Sequence, residues 1–508
     1  MIEEISLENF KAFKELDGLN IKPITILCGT NSCGKSSILQ SILTFKQTLE
    51  SQNLSQTLLL NGRFTHLGSF ENIIYDKNVE NVVSFGFKFN LKKQAINISE
   101  RSSYNFSILF SSLLHELIPI SKFDDTTECR LHYQISLSTS ESSEKFYLKP
   151  ITVNNLAFNF EALSNGVSIS EASLEFILKD QNNYQVIWKN LFPLRYQNDD
   201  ETSEGEETVQ IEFSNLSPRI INTGSPPFDK EFKEFLRLAL YMGNINDMLR
   251  YVFSSYSYIG PLREEPSRRY IYEDEIVEIG IKGENAAHIF LAEKERTIKN
   301  HYFYDKMEDS FFQKEEICLS DGVQDWLDSM NIKSLKSEPL REIIHLKLDA
   351  GVQNRTRVNI ADVGFGVSQV FPIILEGLRM PVGNTLILEQ PEIHLHPKLQ
   401  MQIADYCIAL ALSGKKVIAE THSDHVVNRL VRRIVEDETG KLQELIGIYF
   451  IKPSQDGALF EEIVIDEKRG IVNWPEEFFD QFSSEQQKIM RAGLSKRKRL
   501  RKKESGLQ

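Results

Sequence analysis

At 508 residues, with 41% hydrophobic and 26% charged residues, the chain has the makeup of a globular protein long enough for about two to four domains and a large core. Its net charge of −14 excludes a protein that coats nucleic acid over its whole surface, so any such contact has to be local. Five scattered cysteines with no CxxC pair exclude a disulfide framework and read as free thiols of a reducing cytoplasm. The start Met1-Ile2-Glu3-Glu4 lacks the basic and apolar regions of a signal peptide, and no run of about 18 apolar residues is present to span a membrane.

In chain order, a strand is expected at Ile5-Ser6-Leu7 and a turn around Asn9-Phe10-Lys11-Ala12-Phe13. The apolar run Ile24 to Cys28 then ends in Gly29-Thr30-Asn31-Ser32-Cys33-Gly34-Lys35-Ser36-Ser37, and a helical pattern follows through Ile38, Leu39, Ile42, Leu43 and Phe45. The spacing Gly29-x-x-x-x-Gly34-Lys35-Ser36 is the Walker A pattern in its required setting, after a strand and before a helix. Glycines let successive N–H groups converge on phosphate oxygens at the helix N-terminus; Lys35 would reach the β- and γ-phosphates, and the Ser36 hydroxyl would bind Mg²⁺. By itself the motif indicates a nucleoside triphosphate and not which kind of NTPase. Cys28 and Cys33 lie in or beside this loop, where bystander reactivity is expected rather than catalysis.

A strand and turn are expected at Leu58-Leu59-Leu60-Asn61-Gly62. From about 80 to 215 the pattern changes to period-two runs such as Val82 to Phe89, Leu156 to Phe160 and Ser173 to Leu178, which predict antiparallel strands. The acidic stretch Asp199 to Glu207 reads as an exposed, solvated loop. After Pro227 the periodicity is helical through Phe232, Phe235, Leu236, Met242, Leu249 and Val252, ending at Gly260-Pro261. Helices are expected near 284–295 and 320–330, and strands near 344–348 and 358–360. No heptad pattern persists, so no long coiled coil is expected.

The second motif cluster begins at Asp362-Val363-Gly364-Phe365-Gly366-Val367-Ser368-Gln369, two glycines and a serine at the start of an apolar helix, and so another anion-ready N-terminus. One site has no need of two such helix starts, whereas two chains clamping ATP between them do. Thr385-Leu386-Ile387-Leu388-Glu389 is an apolar strand ending in an acid, which puts Glu389 in the Walker B, metal-holding position. Gln390-Pro391-Glu392-Ile393-His394-Leu395-His396-Pro397 follows, then a helix, then the strand Lys416-Val417-Ile418-Ala419 ending in Glu420-Thr421-His422-Ser423, where His422 is in place to reach a γ-phosphate.

This order of motifs resembles the ABC-type ATPase heads of the SMC, RecF and OLD group, and most of all the prokaryotic AAA-type ATPases without coiled-coil arms that are met in anti-phage defence, such as the ATPase of Septu-like systems. The likeness in the head motifs covers 1–75 and 355–430. Tyr258-Ile259-Gly260-Pro261-Leu262-Arg263 and Ile471 to Asp480 resemble that subgroup and extend it to about 490. It implies an α/β fold, an ABC-type P-loop ATPase head with a mixed β-sheet lobe, a β-rich insertion and a helical segment. The expected divisions are 1–75 (Walker A part of the head), 76–227 (β-rich insertion), 228–340 (helical insertion), 341–470 (signature, Walker B and switch histidine) and 471–508 (extension with a basic tail). It further implies ATP and Mg²⁺, a homodimer sandwiching ATP with Gly366, Ser368 and Gln369 acting across the interface, His422 on the γ-phosphate in cis, and Asn9, Phe10 and Lys11 beside the base. Gln56 stands for the glutamine after the first helix.

Two residues depart from the group. The signature is Phe-Gly-Val-Ser-Gln, and Gln390 stands where a glutamate usually orients or deprotonates the attacking water. A carboxamide cannot accept a proton, and losing a general base costs about 10²–10⁴ in rate. Either Glu392 substitutes or turnover is slow. A transporter subunit would not separate Lys35 from Ser368 by about 330 residues, about twice the usual size of a domain. A nuclease of the OLD type needs more than the roughly 80 residues after His422. The favoured reading is an ATPase that regulates a separately encoded effector such as an HNH-type nuclease. A RecF-like repair ATPase and a non-hydrolysing scaffold are the alternatives. Lys496 to Lys503, with seven cations in eight residues, is expected to be a disordered tail and a non-specific contact for nucleic acid. Arg263, Arg268 and Arg269 form a second, sparser basic cluster that could meet DNA, phosphate or a partner's acids.

Overall fold

The computed structural model describes residues 1–92, 128–139, 151–190, 204–221, 230–271, 276, 278–340, 343–350, 356–363, 366–466, 468–475 and 481–505. Strands β1 (Ile2–Phe10) and β2 (Phe13–Asn20) form a hairpin closed by the pair Phe10 and Phe13. Asn9 and Lys11 take positive φ values of 52° and 53° there, which sets the tight reversal. Strand β3 (Ile24–Gly29) enters the phosphate loop, and α1 (Lys35–Glu50) leaves it.

Next come β4 (Val83–Lys92), β5 (Glu128–Thr139), β6 (Ile151–Ser164), β7 (Val167–Asp180), β8 (Asn183–Lys189), β9 (Glu204–Ser214) and β10 (Ser217–Ile220). They do not form a separate sheet. β4 pairs with β1, and the nine strands run β10-β9-β8-β7-β6-β5-β4-β1-β2, each antiparallel to its neighbour. Along β5 the buried residues alternate as Cys129, Leu131, Tyr133, Ile135 and Leu137, so one face of the sheet is apolar. That face packs on α1 and on α2 (Lys230–Ser254), with Phe45 of α1 edge-on to Phe85 and Phe87 and stacked on Phe253 of α2.

The chain continues through β11 (Tyr256–Ile259), β12 (Tyr270–Ile271), α3 (Ala286–Glu293), the hairpin β13 (Thr297–Asp305) and β14 (Ser310–Cys318), α4 (Leu319–Ser329), β15 (Lys333–Leu340), β16 (Ile343–Ala350) and β17 (Thr356–Asn359). The segment expected to be helical from 228 to 340 thus also carries β11 to β15. After it come α5 (Gly366–Arg379), β18 (Thr385–Glu389), α6 (Pro397–Leu412), β19 (Lys416–Glu420), α7 (Asp424–Glu436), α8 (Lys441–Leu445), β20 (Ile446–Ser454), β21 (Gly457–Glu462), the short pair β22 (Ile465–Asp466) and β23 (Gly470–Ile471), and α9 (Gln481–Ser505).

The second large sheet has the order β11-β18-β19-β3-β20-β21, parallel except for β21. Both its faces are buried, which is why these strands read as unbroken apolar runs. Leu27, Ile387, Ile418, Tyr449 and Ile451 face the core shared with α1 and the nine-stranded sheet. Ile24, Ile26, Leu386, Leu388, Val417, Ala419 and Phe450 face a second core built with α3 to α7.

Three local expectations change. Residues 58–62 contribute only an isolated bridge between Asn61 and His66, with no strand. Glu204 to Glu207, read as loop, open strand β9 in register with β8, where the alternation leaves Glu204 and Glu206 exposed; 199–203 lie outside the described residues. The basic run 496–503 lies on α9, whose residues 485–497 are all exposed; Lys, Arg and Gln, all good helix formers, recur along it.

Candidate active site

Strand β3 ends against β20 so closely that a Cβ on Gly29 would lie 2.0 Å from the Ile451 carbonyl oxygen, and Gly29 has φ +144°. Gly34 precedes α1 at φ +106°, with a virtual Cβ 2.9 Å from that of Ala12 in the β1–β2 turn. Both positions admit only glycine, and they hold the loop in a tight arc. No side chain caps α1 at Gly34, so the first N–H donors of the helix stay directed into the arc. Lys35 is 3% exposed, and its ammonium donates to the carbonyls of Gly29 at 3.2 Å and Thr30 at 2.7 Å. Asn31 and Ser32 form the exposed crest of the loop, Ser32 at φ +60°, while Cys33 and Ser37 point inward. Burial pushes the Cys28 thiol well above its usual range, and its Sγ donates to the Tyr449 carbonyl, so this cysteine is inert.

At the same end of the sheet, β18 and β19 bring Glu389 and Glu420 side by side in register. The Ser36 hydroxyl donates to Glu420 Oε2 at 2.7 Å. Burial, and then the neighbouring Glu420 charge, push Glu389 up to about 7, against a hydrogen bond from Tyr258 of β11. Burial also raises Glu420, while Ser36 and the Lys35 charge draw it back. Two acids and a hydroxyl facing a lysine make a place that favours a cation. Sequence reading named Glu389 and passed over Glu420, although the same signal, an apolar strand ending in an acid, was there to find it.

The loop after Glu389 is held from below. Arg263 is 6% exposed, and its guanidinium donates to the carbonyls of Glu389 at 3.1 Å, Gln390 at 3.2 Å and Pro391 at 3.5 Å; burial lowers it to about 10. It therefore belongs to no basic surface cluster, and Arg268 is paired with Asp362. Gln390 sits at φ +45°, its N–H donating to the Glu420 carbonyl at 2.8 Å. Glu392, expected as a displaced base, is buried and accepts the His422 N–H on Oε1 at 2.7 Å. Burial, and then the Lys35 charge, lower His422, so its ring is neutral beside the phosphate loop. His396 caps α6 by accepting the Lys398 N–H.

The N-terminal turn packs on the loop through Ala12, but Phe10 is 0% exposed with its ring against Phe85, so its side chain belongs to the core and offers no face to a base. Asn9 donates to the Val82 carbonyl, and Lys11 donates to Gln40 of α1. Gln47, not Gln56, is the buried glutamine of this region, its amide joined to Leu59 and Thr65. Gly366 opens α5 beside Leu395 and Leu399, in the segment after the Glu389 strand. Ser368 is 7% exposed, in a narrow gap with Glu264, Tyr270 and Gly283; Gln369 is also buried, and Gly364 and Phe365 lie outside the described residues. The apolar faces of α1 and α5 lie in different cores, so the two anion-ready helix starts stand on opposite faces of the parallel sheet.

A family profile described as AAA ATPase domain matches residues 1–427, which takes in every residue of this site. The chain belongs to the AAA ATPase domain family. A second profile, described as Protein of unknown function (DUF3696), matches residues 443–489 of this AAA ATPase. No curated protein matches it. Among solved structures it is similar to an SMC head bound to the C-winged helix domain of ScpA, at 10% identity and TM-score 0.37, covering 92% of this chain and 98% of that one. It is also similar to the SMC head domain from Thermotoga maritima, at 8% identity and TM-score 0.36, covering 91% and 99%. The AAA ATPase has the α/β class that its motifs predict, with a six-stranded, mainly parallel sheet behind the phosphate loop. Among the described residues its longest helices, α2 and α9, have 25 residues each, and none is long and apolar enough to cross a membrane.

The residues fit ATP and Mg²⁺. The cradle that Gly29 and Gly34 keep free of Cβ atoms, the uncapped start of α1 and Lys35 suit phosphates. Ser36, Glu389 and Glu420 are oxygen donors of the kind Mg²⁺ takes. Among the described residues no group of three His, Cys, Asp or Glu side chains stands ready to hold a metal alone, so a cation here would share its shell with phosphate oxygens and water, as Mg²⁺ does.

Proposed function

We propose that this AAA ATPase binds ATP with Mg²⁺, hydrolyses it slowly, and pairs with a second copy around the nucleotide to control a separate effector. The observation that carries this reading is the glycine-lined arc where Lys35 and Ser36 meet Glu420, with Glu389 in register beside Glu420 and His422 within reach of the Lys35 charge. The loop N–H groups and Lys35 bind the phosphates, Ser36 faces the cation, and Mg²⁺ when bound would neutralise charge building on the phosphate oxygens. Arg263 and Glu392 position the Gln390 loop and His422, respectively. With Gln390 after Glu389, no carboxylate follows on that strand to take a proton from water, so binding outlasts hydrolysis and the protein acts as a switch.

The pairing reading is supported by α5 presenting its N-terminus on the sheet face opposite α1. Because Ser368 is covered in the single chain, pairing includes displacement of the Glu264 to Tyr270 segment. The effector, such as an HNH-type nuclease of a Septu-like defence system, is supported by the motif resemblance. A cytoplasmic setting is supported by the unpaired cysteines. Gln390 also supports a second reading, a scaffold whose bound ATP only holds the dimer.

Calorimetry tests the first step: Lys35→Ala should lose ATP binding, and equal affinity would refute the phosphate-loop reading. Mixing Lys35→Ala with Ser368→Ala should restore one working site per heterodimer and part of the turnover. Two folded, associating variants with no restoration would refute the shared site.

A further inference from the structure

We propose that Glu420, on the strand between the phosphate-loop strand and the Glu389 strand, is the carboxylate that holds the divalent cation against Ser36, directly or through one bound water. The inference rests on the nucleotide reading above and assigns the metal to a different strand from the Walker B one. The strand order β18-β19-β3 places Glu420 next to the loop and Glu389 one strand further away. Glu420 is the acid that Ser36 reaches, at 2.7 Å. A serine that donates its one proton to Glu420 keeps two lone pairs, so the same oxygen can face a cation.

The backbone around Glu420 is fixed from both flanks. Its carbonyl accepts the Gln390 N–H at 2.8 Å, and the N–H of Thr421 donates to Leu27 of β3 at 3.0 Å. The backbone that carries the carboxylate is thus held by the sheet. Glu389 stands beside it in register on β18, and a divalent cation would offset two such adjacent carboxylates. Two residues further along the chain stands His422, so one strand end would carry both the metal carboxylate and the group aimed at the phosphate.

The test is a Mn²⁺ titration followed by electron paramagnetic resonance on the full chain in the presence of ADP, with ADP binding in EDTA measured separately. Glu420→Gln should weaken Mn²⁺ by about tenfold or more, as removal of a carboxylate at a metal site does, while ADP binding in EDTA is kept. Glu420→Asp, which retains the charge on a shorter arm, should lie between Gln and parent. Should Glu420→Gln not fold, a loss of Mn²⁺ affinity in Glu420→Asp supports the assignment and parent-like affinity overturns it. Parent-like Mn²⁺ affinity in a folded Glu420→Gln, with the loss in Glu389→Gln alone, returns the metal to Glu389. A parent protein that binds ADP neither in EDTA nor with Mn²⁺ refutes the nucleotide reading itself.

Discussion

On the reading proposed above, Gln390 leaves the attacking water without a proton acceptor and Glu392 does not supply one. The Glu392 carboxylate is committed to the His422 N–H, a bond that an amide oxygen can also accept. Glu392→Gln should therefore leave single-turnover hydrolysis nearly unchanged, whereas Gln390→Glu should raise it by about 10²-fold or more by restoring a proton acceptor. A hundredfold loss in Glu392→Gln with no gain in Gln390→Glu would instead make Glu392 the base. Glu389 supplies a second check at this scale. Its folded pKa of about 7 lies above the ordinary 4.5, so between those values the folded state binds more protons than the unfolded one, and stability falls as pH rises. In EDTA the melting temperature should drop between about pH 5 and pH 8, and Glu389→Gln should remove that part of the slope. A slope unchanged in the variant would assign it to other groups.

At the scale of elements, the seat of α7 decides where His422 stands. Ser423 caps α7 and donates to Gln400 of α6, one residue after the histidine. Further along, fully buried Asp405 of α6 accepts from Arg429 at 2.8 Å and Arg433 at 2.9 Å, and Arg433 also reaches Asp309 in the β13–β14 turn. Three elements are thus tied together by two carboxylates and the arginines between them. Asp405→Ala would leave two guanidinium groups of low exposure without their main partner, which costs about 3–5 kcal/mol. Urea unfolding should show that loss, and Glu436→Ala, which removes a carboxylate that is itself 41% exposed, should fall within about 1 kcal/mol of the parent. Equal losses in the two would mean that the buried network adds nothing beyond a surface pair.

For the whole molecule, charge is the quantity that separates body from tail. A chain of net charge −14 carries seven cations within 496–503, at the end of a helix whose residues 485–497 are exposed. A run of cations this dense binds phosphate polymers by releasing their counterions, without reading bases. Any DNA or RNA affinity should fall steeply between about 50 and 200 mM salt, and removal of residues 496–508 should flatten that slope while ATP binding stays intact. An unchanged slope would take nucleic acid away from the tail altogether.

The sequence by itself determined the phosphate loop, the strand ending at Glu389, the position of His422, the α/β class and the alternating strands after residue 80. Each is written in local order: glycine where φ must be positive, apolar runs where both sheet faces are buried, and period two where only one is. What tertiary structure decided were relations between segments far apart in the chain. Strands β4 to β10 read as an insertion, yet extend the hairpin β1–β2 into one sheet, because β4 pairs with β1 and no local pattern names a strand's partner. Phe10 and Arg263 read as surface recognition residues and are held inside, one by the aromatic core and one by three carbonyls of a loop more than a hundred residues away. Glu420 read as the mere end of a strand. It faces Ser36 because the strand order sets β19 between β18 and β3, and that order is a property of the assembled sheet.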